Sequence, residues 1–172
     1  PNHPSVTAEK VADCMACHAT MKPFKEVLHV KHFEGAGNVF VDKYDGACVH
    51  CHKMTAEGKV VVAGLAPAGT TLVEIKSSSF EKSAEGCSGC HVKVADDKDY
   101  TLTAEVKKIK NHPPVETEKV SDCMACHKGM KPFKEVMHRI HMKSEIFVDK
   151  YGGACINCHV RTESGQVQVK GL

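Results

Sequence analysis

Five copies of the pattern Cys-x-x-Cys-His run through this chain of 172 residues and account for all ten of its cysteines. The copies end at His18, His52, His91, His127 and His159. Each copy brings two thiols and an imidazole close together along the chain, so there are five compact sets of ligating side chains. Only 6 Phe, 3 Tyr and no Trp are available for a core, too few for a sizeable apolar interior. Whatever these five sets bind must therefore organise the fold.

The spacing predicts covalent attachment of one haem c at every copy. The two thiols can bond to the two vinyl groups of a porphyrin, and the histidine that follows can ligate its iron. The predicted thioether cysteines are Cys14, Cys17, Cys48, Cys51, Cys87, Cys90, Cys123, Cys126, Cys155 and Cys158, and the predicted proximal ligands are the five motif histidines. With about 34 residues for each of five haems c, we expect the haems to form much of the core, and the chain without them to be largely unfolded.

Other uses of paired cysteines fit the pattern less well. A structural zinc ion takes four ligands, so Cys-x-x-Cys pairs should occur in even number, and here one pair is left over. A disulfide framework needs no histidine after each pair. A thioredoxin-like dithiol occurs once, beside a βαβ pattern that this sequence lacks. Zinc binding is the main alternative that the sequence leaves open.

The chain also contains an internal duplication. The matching segments are 2–32 with 111–141, 38–53 with 145–160, and 58–65 with 165–172. This pattern predicts a dihaem repeat over 1–65, a middle segment over 66–110 that carries the third haem, and a second dihaem repeat over 111–172. Because both repeats are short, we expect one compact, pseudo-symmetric unit with the odd haem between the halves.

Two helices are predicted in each repeat. The first carries the first motif of the repeat, over 8–18 in the first copy, and the second carries a pair of histidines three residues apart, on one helix face. The predicted N-caps are Thr7 or Ser5 in the first repeat and Thr117 in the second, and the predicted starts of the second helices are Pro23 and Pro132.

Little regular structure is predicted elsewhere. The segment 59–75 is rich in Val and Thr and predicts a short hairpin closed by residues 67–69. The segments 33–38 and 94–99 are predicted to be loops. The expected fold is therefore mainly α with much irregular loop and little β, packed around haems as two pseudo-symmetric dihaem repeats about a central haem.

Seven further histidines are available as distal ligands of the irons. His50 is set aside, because its counterpart in the second repeat is Asn157. The six candidates are His3, His29, His32, His112, His138 and His141. Five irons need five distal ligands, so one histidine is left over, either free or bound to a haem of a neighbouring subunit. Methionine is the alternative axial ligand, and Met21 and Met130 are the best placed.

A His-x-x-His pair followed by a Cys-x-x-Cys-His motif, with few residues per haem, resembles the class III multihaem cytochromes c. The resemblance is best over 24–52 and 133–159. In that family the two histidines of a pair ligate different haems. The resemblance thus implies that His29 and His32 serve two irons, and that His138 and His141 serve two more.

Closed coordination by two histidines predicts electron transfer rather than catalysis, because no position on the iron is left for a substrate. We expect transient redox protein partners, namely a donor and a reductase or extracellular acceptor. Two alternatives remain. One is a multihaem reductase with one open haem, and the other is a subunit of a polymeric cytochrome wire held together by self-association.

Charge and hydropathy exclude other classes of function. The chain has 23 Lys and Arg against 21 Asp and Glu, and its scattered basic residues give no support to nucleic-acid binding. No apolar stretch is long enough to span a membrane. Haem c is attached outside the cytoplasm, so we expect a periplasmic or extracellular protein whose signal peptide has been removed.

Overall fold

A computed structural model describes residues 3–19, 24–35, 37–44, 46–73, 75, 86–130 and 133–172. Pro23, Pro132 and Met21, which the sequence analysis singled out, lie outside these ranges. The α-helices of the described residues are α1 (Val11–His18), α2 (Phe24–Phe33), α3 (Val39–Tyr44), α4 (Leu102–Lys107), α5 (Val120–His127) and α6 (Phe133–Met142). Both predicted helices are therefore confirmed in both repeats.

The first helix of each repeat begins later than predicted. The Asp122 carboxylate accepts hydrogen bonds from the backbone N–H groups of Glu118 and Lys119, at 3.0 and 3.1 Å, and so supports the start of α5. Asp13 accepts the equivalent pair of bonds at the start of α1. The predicted caps at Thr7, Ser5 and Thr117 are wrong, because a carboxylate inside the first turn takes over the N–H groups that a cap would bind. Thr117 instead bonds to Thr103 of the middle segment.

Small antiparallel sheets follow the motifs. The strands are β1 (His52–Thr55), β2 (Val60–Val62), β3 (Leu72–Val73), β4 (Lys93–Ala95), β5 (Lys98–Asp99), β6 (His159–Arg161) and β7 (Val167–Val169). The predicted hairpin over 59–75 is wrong in its pairing, since β2 and β3 lie on opposite sides of β1. His52 pairs with Val62, and Met54 pairs with both Val60 and Val73.

Several further short elements were not predicted. The segment 94–99 lies in the β4–β5 hairpin, where its acidic residues form the turn rather than a loop. Helix α4 begins after Thr101, whose hydroxyl accepts the N–H of Ala104. Helix α3 has as its counterpart a π-helical segment, Ile146–Lys150. These elements are only two to six residues long, so none carries a clear hydrophobic period.

Each repeat packs the turn of its hairpin against a helix of the other repeat. The turn of the β1–β2 hairpin places Gly58 against the backbone carbonyl of Glu135 on α6, and the turn of the β6–β7 hairpin places Gly165 against the carbonyl of Glu26 on α2. Both glycines are buried and have positive φ, 98° and 85°. Side chains there would collide with the facing helix, so only glycine permits this approach. The contact gives the fold an approximate two-fold symmetry.

Few apolar side chains are fully buried. Among the described residues, the buried apolar ones are Met54, Ile75, Phe147 and Ala154. A continuous cavity of about 2510 Å³ occupies the place of a normal core. The structure is thus a shell of helices, turns and hairpins around a large interior space.

Candidate haem sites

The motifs lie on two kinds of local structure. The first and fourth motifs lie within α1 and α5, and each ends its helix with the motif histidine. The other three begin as short 3₁₀ turns, Cys48–His50, Cys87–Gly89 and Cys155–Asn157. In the second and fifth motifs the histidine is the first residue of a strand, β1 or β6. Each thiol pair is therefore held on one turn of backbone, with its imidazole just beyond.

Every motif histidine stands opposite one histidine from outside the motifs. The ring centroids are 6.0 Å apart in His3–His18, 6.2 Å in His29–His52, 6.0 Å in His91–His141, 6.0 Å in His112–His127 and 6.0 Å in His138–His159. Five of the six predicted distal candidates are thus brought to motif histidines. No two pairs share a ring.

This separation is the one that a metal between two imidazoles requires. With a metal–nitrogen bond of about 2 Å on each side, and a ring centre about 1 Å beyond each nitrogen, the two centroids stand about 6 Å apart. Direct contact between stacked rings would bring them closer. The residues present therefore fit a bis-histidine iron at each of the five motifs.

Hydrogen bonds orient many of these rings. The Nδ1 atom of His91 lies 3.0 Å from the carbonyl oxygen of Tyr100, and that of His159 lies 3.3 Å from the carbonyl of Gln168. On the distal side, His29 bonds through Nδ1 to the carbonyl of Gly165 at 3.1 Å. A carbonyl can only accept, so Nδ1 carries the proton and Nε2 keeps the lone pair that binds a metal.

Burial favours the ligand form of three rings. It holds the pKa of His52, His138 and His159 below the ordinary value of 6.5, and the neighbouring His29 and His159 lower the pKa values of His52 and His138 further. A neutral imidazole is the form that ligates iron. These sites are therefore prepared for a metal near neutral pH.

Four of the five motifs form a connected series inside the molecule. A hydrogen bond from the Cys155 thiol lowers the pKa of Cys48 to about 7, so the second and fifth motifs touch across the repeat interface. Burial raises the pKa of Cys158 to about 11, with a further contribution from nearby Cys87. Cys87 in turn lies near Cys123 of the fourth motif. Groups bound at these motifs would be close neighbours.

The third motif lies against the second repeat. The N–H of Gly86 donates to the carbonyl of Asn157 at 3.2 Å, and the Cα of Gly86 faces Lys170. Its histidine, His91, faces His141 on α6. These contacts are with the second repeat, and the place of the third haem between the halves stays a prediction.

The cavity matches the motifs in size and lining. It is bordered by motif residues of the second to fifth copies, by His18 of the first, and by apolar side chains such as Val11, Leu28, Phe33 and Ile75. Shared among five motifs, its volume is about 500 Å³ each, within the range of about 300–1,000 Å³ typical of a pocket for one small molecule. An apolar space of this size suits porphyrins, whose faces need covering from water.

Two histidines are not brought to a motif histidine. His32 packs against Phe40, with ring centroids 5.2 Å apart, although the resemblance implied that it serves an iron. The Nε2 atom of His50 lies 3.1 Å from the carbonyl oxygen of Tyr44, so this nitrogen carries the proton and offers no lone pair. Met130, the other predicted axial ligand, is 65 % exposed. All five motif histidines already face a histidine, so no motif is left for Met130.

The aromatic residues that position these rings were not predicted from the sequence. Phe24 stacks on His18 with centroids 4.6 Å apart, and Phe133 stacks on His127 at 4.7 Å. Phe40 and Phe147 pack edge-on against His32 and His141. The signal was present in the duplication, because each of these phenylalanines has a phenylalanine at the matching position of the other repeat.

The described residues show neither the ligand cluster of a zinc site nor a disulfide. In the ranges that the structure describes, no three side chains of His, Cys, Asp or Glu converge as a metal held by protein ligands alone would need. All ten cysteines are free thiols. A tetrahedral zinc site would require four such groups to meet.

Comparison with protein-family models, with characterised proteins and with solved structures finds no match to this chain. No helix of the described residues has the length and apolar character to cross a bilayer.

Proposed function

We propose that this chain is a pentahaem c-type cytochrome that transfers electrons between redox partners in anaerobic-type respiration. The observation that carries the proposal is the set of five facing histidine pairs, each 6.0 to 6.2 Å apart between ring centroids. Each pair joins the histidine of a Cys-x-x-Cys-His motif to a histidine that lies outside the motifs. A protein that bound nothing between these rings would have no reason to repeat the same separation five times.

The chain's own residues have separate roles in this proposal. The ten cysteines would form thioethers, the motif histidines would ligate one face of each iron, and the facing histidines would close the other face. An iron held between two imidazoles exchanges one electron while keeping its ligands. The backbone carbonyls that bind Nδ1 would keep the imidazoles in place in both oxidation states.

Closed coordination favours a carrier over an enzyme. Five histidines from outside the motifs face the five motif histidines, so no motif is left with an open side. The neighbouring cysteines of the second, fifth, third and fourth motifs provide a route through the molecule, which a carrier of several electrons needs. A reductase would require one of these distal histidines to move away.

The proposal extends to partners and location. Redox protein partners, a donor and a reductase or extracellular acceptor, would bind transiently. Lys108 and Lys110 border the cavity beside His112 and, with Lys107, form a basic segment that would steer an acidic partner toward the fourth motif. Because haem c is attached outside the cytoplasm, the protein would work in the periplasm or outside the cell.

Haem content and spin state test the proposal together. The purified, fully oxidised protein should contain five haems per chain, and its EPR spectrum should show every iron low-spin with two histidine ligands. A content below five would contradict the assignment of the motifs. A high-spin iron in one fifth of the haem would instead favour a reductase with an open site.

A further inference from the structure

His32 and His141 occupy equivalent places in the two repeats and are held in the same way. The Nδ1 atom of His32 lies 2.8 Å from the carbonyl oxygen of Leu28, and that of His141 lies 2.8 Å from the carbonyl of Met137. In both cases Nδ1 donates to the carbonyl four residues earlier, so Nε2 is left with its lone pair. Each ring also packs edge-on against a phenylalanine, at 5.2 and 5.4 Å. His32 is therefore oriented as a ligand.

Only one of these two rings faces a motif histidine. His141 stands 6.0 Å from His91 of the third motif. No histidine of the described residues stands opposite His32, whose described ring partner is Phe40. The five motif histidines already face five other rings, so nothing within this chain is left for His32 to share.

The residues around His32 match those around His141, but they are not covered by another segment. In the second repeat, Gly86 at the start of the third motif donates a hydrogen bond to the carbonyl of Asn157. Asn157 there is only 1 % exposed, and Phe147 is buried. The matching residues of the first repeat, here called the α2–α3 face, are His32, Phe40, Tyr44 and His50. His32, Tyr44 and His50 are exposed and Phe40 is half-buried. The face thus repeats a docking site for a haem-bearing segment, with no such segment on it in the described chain.

We propose that His32 is the distal ligand of a sixth haem c, carried on a Cys-x-x-Cys-His segment of a different polypeptide that docks on the α2–α3 face as residues 86–91 dock on the second repeat. The proposal rests on the proposed function, since the third haem is its template. An iron–Nε2 bond forms and the water on the open face of that iron leaves, with no change of oxidation state. A second copy of this chain has no such iron to offer, because supplying its third haem would leave its own His141 without one.

The site would join this protein to another haem carrier by a coordination bond. The sixth haem would lie at the α2–α3 face as the third haem lies at the equivalent face of α6. Electrons could then enter or leave at this face without a diffusing encounter. The partner is thus defined chemically as a polypeptide with a c-type haem, one motif histidine on its iron, and no second protein ligand.

A microperoxidase serves as the probe, since it is a haem c attached to a short Cys-x-x-Cys-His peptide with an open sixth position. We would titrate its N-acetylated ferric form into the oxidised five-haem holoprotein and follow its conversion from high-spin to low-spin by absorbance and EPR. The expected result is saturation at one probe per chain. His32→Ala should weaken binding at least about tenfold, because the ligand and its bond to iron are lost.

Lys98→Ala, on β5 and outside the α2–α3 face, is the control, because it changes an exposed side chain and leaves every residue of the face in place. It should bind the probe like the wild type. Equal binding by wild type and His32→Ala, or an equal loss of binding in Lys98→Ala, would overturn the proposal. Haem content and spin state are measured before each titration. A protein without five low-spin haems would refute the proposed function, whereas a normal protein that binds the probe independently of His32 would refute only the sixth site.

Discussion

At the scale of single residues, the chain separates histidines that share a sequence pattern. His29 and His32 lie three residues apart on α2, and His138 and His141 lie three apart on α6. Both members of the second pair face motif histidines, whereas only His29 of the first pair does. His32 and His141 make the same local hydrogen bonds, so they differ only in the segment that packs opposite the ring. Which histidine faces a motif is therefore decided by tertiary contacts and not by local sequence.

This difference predicts opposite results for two equivalent substitutions. His141→Ala should leave the iron at the third motif with one protein ligand, so one haem in five becomes high-spin and able to bind cyanide or CO. The planes of His91 and His141 are 88° apart, against 15° to 43° in the other pairs. The lost low-spin EPR signal should therefore be the most anisotropic one, because perpendicular ligand planes split the iron d orbitals least.

His32→Ala is the control for that experiment. It should leave all five irons low-spin in the isolated protein, with unchanged haem content. Appearance of high-spin iron in His32→Ala, or its absence in His141→Ala, would show that the pairing of distal histidines with motifs is wrong.

At the scale of helices, the N-termini of α1 and α5 depend on a single carboxylate each. Hydrogen bonds from the backbone N–H groups of Glu118 and Lys119 hold the pKa of Asp122 below its usual value of 3.8. A carboxyl group with a lowered pKa in the fold stabilises it above the unfolded pKa, and this contribution is lost as pH falls through the folded value. Asp122 should therefore support α5 at neutral pH and not in strong acid.

Asp122→Ala tests this pH dependence. At pH 7 the variant should unfold a few degrees below the wild type, because two N–H groups lose their acceptor. The difference should shrink as the pH falls from 3.8 toward the lower pKa of the folded state, because below that value the carboxyl is protonated in both the folded and the unfolded chain. Asp97→Ala, in the turn between β4 and β5, controls for the loss of an exposed negative charge. A difference that stays constant from pH 7 to pH 3 would contradict the role of the ionised carboxylate.

The contact between each hairpin and the opposite helix makes a second prediction at this scale. Gly58 and Gly69 both have positive φ, 98° and 81°, but only Gly58 faces another element. Gly69→Ala should cost about 1 kcal/mol for the backbone alone. Gly58→Ala should cost about 2 kcal/mol more, because its methyl group would meet the Glu135 carbonyl. Denaturant unfolding of both holoproteins, followed by circular dichroism, measures the difference. Equal losses would mean that the hairpin does not clasp α6.

Sequence patterns predicted these elements unevenly. The helices that carry motifs and histidine pairs were predicted because they recur in both repeats with the same spacing. Their exact starts were not, since Asp13 and Asp122 compete with nearby threonines for the same N–H groups. The pairing of β1 with both β2 and β3 could not be predicted from 59–75, because the central strand lies before that segment.

At the scale of the whole molecule, the duplication becomes an approximate two-fold axis. Gly58 and Gly165 make the same contact from opposite sides, and Cys48 meets Cys155 where the repeats join. The third motif breaks this symmetry, because the contacts of Gly86 and His91 with Asn157 and His141 have no counterpart among the described residues of the first repeat. The two repeats therefore differ: the third motif packs against His141 on α6, whereas His32 on α2 is exposed.

The sequence limited what could be predicted at this scale. The motifs and the duplication predict the ten cysteines, the motif histidines and the six distal candidates. Which candidate is left over could not be deduced, because His32 and His141 have the same spacing to the motifs around them. The choice depends on where residues 86–91 pack, a contact between segments far apart in sequence.

The small number of buried apolar side chains gives the last prediction, that the fold depends on its haems. Met54, Ile75, Phe147 and Ala154 are the buried apolar residues in the described part of the chain, around a cavity of about 2510 Å³. An empty apolar space of this size forfeits the packing that stabilises a core. The chain produced without haem attachment should therefore lack a cooperative thermal transition and most of its helical circular dichroism.

The same chain matured with haem in otherwise identical cells is the control, and it should unfold cooperatively. A second comparison removes one haem at a time. Cys87→Ala with Cys90→Ala deletes the third haem, which lies on the second repeat, so it should expose α6 to hydrogen exchange more than α2. A haem-free chain that unfolds cooperatively with native helical content would show that the polypeptide packs by itself. The cavity would then be a rigid feature of the protein, and the five histidine pairs would be set before any haem arrives.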